Sequence, residues 1–398
     1  MDEITTDVCV VGGGPAGLTL SLLLLRSGLG VTLVERSATL ERHYRGEILQ
    51  PGGARVLDRL GALEGARARG ACPLSGFRFT AGGVTRLEID YTRLPGPYNY
   101  LLSVPQRHVL AELTERCERL PGFVRLAGAG IGGLLTEEGR VTGVVTSGGR
   151  TARVRARCVV GADGRYSKTR RLAGIGQERL DAFEHDLLWF RLELPPAERP
   201  GLVRIDRGPG GAVLLHDSYP DRVQIAWVVP HGGYAALAAE GVGPIKDELR
   251  AALPRYAAAI DEQITRLADL TLLDVFSGCA TAWAADGLVL IGDAAHTHGP
   301  LGAQGINLAV QDAALLHPLL VEALADGAPD AGALAAFEIA RRPDVEKVLA
   351  VQLAQAESMF GDGGPRRSPP ADDAITSWIA FGNPGITVRT DLFTVADQ

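Results

Sequence analysis

Hydrophobic residues along the first thirty-five positions alternate between strand-type and helix-type groupings. Val8 to Val11 is an apolar run of β-formers. Leu18, Leu22 and Leu25 then recur at i, i+4 and i+7, the spacing that turns one face of a helix toward a core, and Gly28 ends the pattern. Val31 to Val34 is a second apolar run, closed by Glu35. Strand, turn, helix and strand within about thirty residues make a βαβ unit. Further on, Ala54 to Leu60 predicts a short amphipathic helix. Phe77, Phe79, Val84, Leu87, Ile89 and Tyr91 alternate with polar residues around Gly82-Gly83, which predicts a hairpin with one buried face, ended by Pro95-Gly96-Pro97. Helices are predicted over Val109–Leu120, over most of Ala251–Leu267, and over Leu308–Leu324 and Ala331–Phe360. Strands are predicted at Phe123–Leu126, Val141–Val145, Cys158–Val160, Leu187–Leu194, Gly211–His216 and Val223–Val229, with a turn at Pro220-Asp221. Another apolar run, Gly287 to Ile291, ends on Gly292-Asp293. Residues 361–373 read as a linker, and Trp378, Phe381 and Phe393 give the last segment apolar groups that must pack on something.

At 398 residues the chain is long enough for two or three cores. A net charge of −7 argues against a nucleic-acid partner. The acidic start, Met1-Asp2-Glu3, is unlike a signal peptide, and no unbroken run of eighteen apolar residues predicts a membrane span. Cys9, Cys72, Cys117, Cys158 and Cys279 are scattered and odd in number, which fits a reducing cytoplasm without structural disulfides. Arginine carries nearly all the positive charge, with Lys168, Lys246 and Lys347 the only lysines. That bias, with abundant alanine, is associated with GC-rich genomes and so with secondary metabolism.

The turn of the βαβ unit is Gly12-Gly13-Gly14-Pro15-Ala16-Gly17. Gly12 permits a tight exit from the strand, Gly14 lets backbone approach a pyrophosphate, and Gly17 lets the helix pack close to the sheet. Pro15 and Ala16 open the helix, whose first N–H groups and positive dipole end suit phosphate. Glu35, eighteen residues after Gly17, is placed to accept ribose hydroxyls, with Arg36 beside it. The unit is that of an adenine dinucleotide site. A second run, Gly128 to Gly133, matches the same spacing, but the turn Thr136–Arg140 and another strand follow it, and no acid closes a second unit. His296-x-His298 lacks a third ligand at motif spacing, so no metal is expected.

Three motifs stand in order: Gly12-x-Gly14-x-x-Gly17 with Glu35-Arg36, Asp163-Gly164, and Gly292-Asp293 followed by Pro300-x-Gly302-x-Gln304-Gly305. Together they resemble the group A flavoprotein monooxygenases, the p-hydroxybenzoate hydroxylase-like aromatic hydroxylases, over about residues 5–358. The resemblance implies an α/β fold: a Rossmann-like FAD-binding domain of the glutathione reductase type and a mostly antiparallel substrate sheet. FAD binding would fall to 1–73, 105–179 and 277–358, substrate binding to 74–104 and 180–276, and 359–398 would be a C-terminal extension. It further implies that Gly12, Gly14 and Gly17 hold the FAD pyrophosphate and Glu35 the adenosine ribose. Arg45 would lie near the flavin, Gln106 and Arg107 would contact FAD, and Asp163 would serve FAD and NAD(P)H. Asp293 would bind the ribityl chain. Pro300, Gly302, Ala303, Gln304, Gly305 and Ile306 would form the loop and helix start beside the isoalloxazine, with Asn307 touching the ring. The implied reaction uses NAD(P)H and O2 to hydroxylate an aromatic or phenolic small molecule through a flavin C4a-hydroperoxide. A general base for a phenol is not singled out; His216 and His43 are candidates that read equally as ordinary core or surface histidines. Trp189, Arg191, Arg204 and Trp227, on strands of the substrate sheet, are pocket candidates on the same terms.

A flavin-dependent halogenase is the nearest alternative. Ala226-Trp227-Val228-Val229-Pro230 half-matches that family's Trp-x-Trp-x-Ile-Pro, with Ile225 in place of the first tryptophan, and an early catalytic lysine is missing. A prenyl reductase of related fold and a non-catalytic FAD-binding protein complete the alternatives.

Overall fold

The first strand, Asp2–Val11, lies in parallel between Val31–Glu35 and Ala152–Gly161, with Val8 opposite Val31 on one side and Cys158 on the other. The structure, a computed structural model, describes residues 2–40, 47–180, 185–208, 210–360 and 373–395. Phe123–Ala127 and Leu288–Leu290 extend the parallel set at either side. A hairpin, Ala129–Glu137 with Arg140–Gly148, is added antiparallel to Ala152–Gly161, and Ala284–Ala285 pairs antiparallel with Leu288–Leu290, which completes an eight-stranded sheet. The second glycine run therefore enters a strand directly and opens no helix, as its flanking residues predict.

The helix Pro15–Arg26 packs against the helices Gln106–Glu118 and Gln304–Ala325. Layers on more than one side bury every residue from Ala16 to Arg26, so the expected apolar stripe widens to the whole circumference. Leu301–Ala325 is hydropathic and long enough to cross a membrane, but 61% of that window is buried inside the protein, as a core helix between layers would be. Ala331–Phe360 forms one helix over the predicted span.

A second sheet of seven strands takes Gly76–Ala81 and Val84–Asp90 from the early hairpin and the remainder from 185–273. It is antiparallel except where Val203–Gly208 runs parallel to Gly76–Ala81. The first of that pair is absent from the sequence reading, because charged Arg204, Asp206 and Arg207 leave only Val203 and Ile205 as its apolar signal. One face of the sheet, with Leu188, Phe190, Val213, Leu215 and Ile225, packs on Ile245, Leu249 and Ile260. Those three belong to helices Val242–Ala252 and Ala257–Gln263, separated at Pro254; the predicted stretch begins only at Ala251 and so misses nearly all of the first. The other face turns toward the parallel sheet.

The C-terminal segment packs as its aromatics require. Lys347 lies 4.0 Å from the Trp378 ring centroid and the Arg26 guanidinium 5.4 Å from that of Phe393. The Thr394 and Val395 N–H groups both donate to the Arg26 carbonyl. Nearby, fully buried His317 meets Ser27 Oγ through Nε2 at 2.8 Å. Burial, with Arg389 adding to it, pulls the His317 pKa from 6.5 to about 4. The native state thus keeps the ring neutral where the unfolded chain protonates it. Its contribution is full above pH 6.5 and is lost as pH falls toward 4, by up to about 1.4 kcal/mol per pH unit. Urea unfolding at a series of pH values is expected to show this slope, and His317→Gln, which keeps an amide for Ser27, to flatten it. An unchanged slope in the variant would refute the assignment.

Candidate functional site

A cavity of about 730 Å³ is lined by residues of both sheets. The parallel strands reach it at their carboxyl ends, through Val11-Gly12, Val34-Glu35, Ala162-Asp163 and Ile291-Gly292. That is where open α/β sheets bind ligands. Gly14, Pro15, Ala16, Arg36 and Gln106 line it, and so do Asp293, Pro300, Ala303, Gln304, Gly305 and Ile306. Seven-stranded-sheet residues Trp189, Leu214, His216 and Gln224 line it as well. Gly130, Ser147 and Gly148 of the antiparallel hairpin, with Gly128 just before it, join Glu35 and Arg36 there, so the second glycine run does meet the cavity, but opens no helix toward it.

The three glycines of the first turn differ in what they answer to. Gly12 has φ +112°, and a Cβ there would lie 2.2 Å from the Ala162 carbonyl oxygen. A Cβ on Gly17 would lie 2.0 Å from the Gly12 carbonyl oxygen. At Gly14 a Cβ would meet no protein atom within 4 Å, and the residue is the extended N-cap of the Pro15–Arg26 helix. The protein's own packing requires glycine at the first two positions, while at Gly14 the free space belongs to the cavity and its occupant. A second helix starts at the same cavity, Gln304–Ala325, with its N-cap Ala303 held at φ 52°. A left-handed non-glycine residue costs about 1 kcal/mol or more and persists only where neighbours hold it. Gln50 Nε2 donates to the Gly302 carbonyl at 2.7 Å, and Gln304 Nε2 donates to the Ile379 carbonyl at 3.0 Å. Asn307 Nδ2 donates to Gln304 Oε1 at 3.0 Å. Asn307 and Gly302 are thus braces of the loop and do not line the cavity.

Acidic groups around the cavity are differently employed. Glu35 accepts from the Gly13 N–H at 2.6 Å and the Ser37 N–H at 2.7 Å while lining the cavity. Asp163 accepts from Lys168 N–H at 2.8 Å, Thr169 N–H at 2.9 Å and the Ser167 hydroxyl, which caps the helix Lys168–Leu172. Asp293 faces the cavity with Arg165 Nε 3.9 Å away. Asp312, which the sequence reading passed over, is fully buried and accepts from Gly292 N–H at 2.8 Å, His296 Nε2 at 2.7 Å and Arg341 Nε at 2.8 Å. Burial alone raises its pKa, but the pairing with His296 and Arg341 holds it at about 2. His296 is therefore a partner of Asp312, which accounts for half of the His-x-His pair. A separate grouping, Asp186 with His231 and Asp274, has its carboxylates taken by Gly232 and Val275 N–H groups, Arg179 and Tyr166.

The wall from the seven-stranded sheet is polar at one place. Glu47, with 4% of its side chain exposed, is paired with Arg191 and accepts from Ser218 Oγ at 2.7 Å. Arg191 Nε donates to Gln224 Oε1 at 3.1 Å. Glu47, Gln224 and Ser218 lay outside the sequence candidates because nothing near them in the chain marks them; the fold assembles them from three separate stretches.

Other expectations need correction. Trp227 faces the opposite side of its strand, in the layer with Ile225 and Val229, and its Nε1 donates to the Gly210 carbonyl at 3.4 Å. Strand alternation places Gln224, not Trp227, on the cavity side. Arg204 pairs with Asp206 and is not a lining residue. Arg107 lines a separate depression with Thr39, Leu40, Arg69 and His108, although Gln106 beside it lines the main cavity. Arg45 and His43 lie outside the described residues.

Residues 5–352 match a family described as FAD binding domain. The chain is 51% identical over 404 residues to the 6-methylpretetramide 4-monooxygenase of Streptomyces rimosus, covering 98% of this chain and 96% of that protein. PqsL of Pseudomonas aeruginosa, solved in complex with 2-aminobenzoylacetate, superposes with a TM-score of 0.76 at 27% identity, covering 90% of this chain and 97% of that one. The myxobacterial chondrochloren halogenase CndH superposes at a TM-score of 0.76 with 24% identity, covering 94% of this chain and 88% of that one, a likeness of fold alone.

Proposed function

The chain belongs to the FAD-binding family of flavoprotein aromatic hydroxylases, and from that premise we propose that it hydroxylates a polycyclic phenol, 6-methylpretetramide or a close analogue, in secondary metabolism. Its reaction is an FAD-dependent monooxygenation of an aromatic small molecule with O2. The observation that carries the substrate reading is the 51% identity to a 6-methylpretetramide 4-monooxygenase across 98% of the chain. The cavity supports it, for Trp189, Leu214, Leu273, Val275 and Phe276 offer apolar walls to fused rings, and Glu47, His216 and Gln224 offer partners to their oxygens.

The residues fit FAD. The open space at Gly14, faced by the first turn of Pro15–Arg26, suits the pyrophosphate. Glu35 lines the cavity at the carboxyl end of its strand and is assigned to the adenosine ribose, and Asp293 is assigned to the ribityl chain. The start of Gln304–Ala325 would offer backbone N–H groups and a positive dipole end to the electron-rich edge of the reduced ring. Bound FAD, reduced by NAD(P)H, supplies the activated oxygen. This chain's side chains orient the phenol against it and keep water from it. The division into a Rossmann-like FAD domain of the glutathione reductase type, a substrate domain and a C-terminal extension belongs to the same proposal, as does a cytoplasmic location.

Purified protein is expected to be yellow, to release FAD on denaturation, and to oxidise NAD(P)H faster when 6-methylpretetramide is present, with a product heavier by one oxygen. Colourless protein after expression with ample FAD would overturn the cofactor assignment. Coloured protein whose NAD(P)H oxidation ignores the phenol would overturn the substrate. A requirement for halide would favour the halogenase reading.

A further inference from the structure

His216 lines the cavity on the same strand as Leu214, yet its ring is 1% exposed and its hydrogen bonding is one-sided. Nδ1 lies 2.9 Å from the Asp217 carbonyl oxygen and 3.3 Å from Ser103 Oγ. A carbonyl oxygen only accepts, so Nδ1 carries the proton. In the neutral ring Nε2 is then a bare lone pair, the nitrogen left to the cavity. The ring is also kept neutral: burial lowers its pKa below 6.5, outweighing the Asp217 carbonyl, Glu47 and the Asp217 carboxylate, which pull the other way, while Arg191 adds to the lowering. Gln224 stands opposite His216 on the neighbouring strand.

We propose that His216 is the general base that takes the phenolic proton of the substrate, through Nε2, with the Asp217 carbonyl fixing the tautomer. The O–H bond breaks, its electron pair stays on oxygen, and the proton passes to Nε2. The resulting phenolate pushes charge onto the ring carbons ortho and para to it, which is the activation that attack on an electrophilic oxygen needs. The imidazolium returns its proton to solvent when product leaves. Glu47 is engaged by Arg191 and Ser218 and is a poorer candidate, and Gln224 does not titrate. The inference rests on the phenolic substrate proposed above.

Asparagine separates the two nitrogens. In His216→Asn the side-chain amide can still donate to the Asp217 carbonyl from the Nδ1 position, but nothing replaces Nε2. In FAD-loaded enzyme, kcat with 6-methylpretetramide is expected to fall roughly 10²- to 10⁴-fold at pH 7 with KM changed by no more than a few fold. The acid limb of the wild-type kcat profile, expected below pH 6.5, should vanish. The second measurement reads ionisation of a bound phenol directly. Alizarin, a polycyclic phenol that changes colour on ionisation, should bind as phenolate at pH values where it is neutral in free solution, and the shift should disappear in His216→Asn. Near-wild-type kcat with an unchanged acid limb in the variant, or alizarin bound to wild type as the neutral phenol, would overturn the role of His216. Wild-type enzyme that neither binds alizarin nor turns over 6-methylpretetramide would instead overturn the substrate reading.

Discussion

Asp312→Ala is expected to lose about 3–5 kcal/mol of stability and, with it, much of the bound flavin. The carboxylate is fully buried and serves three donors from three elements: the Gly292 N–H, the His296 ring and the Arg341 guanidinium. Arg341 is buried too, and its remaining contacts, Asp344 Oδ2 at 3.2 Å, Gln311 Oε1 at 3.3 Å and the Leu308 carbonyl at 3.4 Å, are longer. Removing Asp312 leaves that cation short of its shortest bond and orphans a buried backbone N–H. Asp312→Asn keeps an acceptor but not the charge, so it should fall between wild type and alanine. The local consequence concerns the Gly292-Asp293 turn, since the Gly292 N–H bond anchors it at the cavity. Urea unfolding at pH 7 measures the first effect, and the ratio of FAD to protein after gel filtration measures the second. A loss under about 1 kcal/mol with full flavin would show that the hub is a bystander.

That network also marks where sequence reading stops. Asp312 and Arg341 stand in helices whose inward residues are mostly apolar, and periodicity counts them as polar faults. Only the packing of one helix on the other pairs them. The Gly12–Gly17 turn was legible because strand, glycine spacing, helix and terminal acid are consecutive and each has a local steric reason. The Ala331–Phe360 helix was legible because a thirty-residue stretch rich in Ala, Leu and Glu is a long signal, one that Pro343 does not end. Orientation within the second sheet was not: Gly211–Ser218 and Arg222–Pro230 are apolar on both faces, so alternation could not say whether Trp227 or Gln224 faced the cavity. Asp163 shows a different limit. Its place in a motif was plain, but motif spacing did not announce that its carboxylate also accepts from the first N–H groups of the Lys168–Leu172 helix.

Two substitutions in one turn should fail in opposite ways. Gly17→Ala places a methyl group 2.0 Å from the Gly12 carbonyl oxygen, a backbone atom that cannot swing aside. The Pro15–Arg26 helix would have to lift from the sheet, and every residue from Ala16 to Arg26 is buried in that packing. Since overpacking in a tight core costs about 1–3 kcal/mol even where side chains can yield, a clash with backbone should exceed it and give insoluble or unfolded protein. Gly14→Ala meets no protein atom within 4 Å and has φ −84°, which any residue adopts. The apo variant should therefore unfold in urea within about 0.5 kcal/mol of wild-type apoprotein, as strain-free substitutions do. Its methyl group would instead enter the space assigned to the pyrophosphate and hold the phosphates off the helix N–H groups. FAD affinity, measured by flavin fluorescence quenching, is expected to fall at least tenfold, about 1.4 kcal/mol or more. Gly14→Ala with wild-type affinity would place the pyrophosphate elsewhere in the cavity, and a soluble, folded Gly17→Ala would show that the helix has room to move.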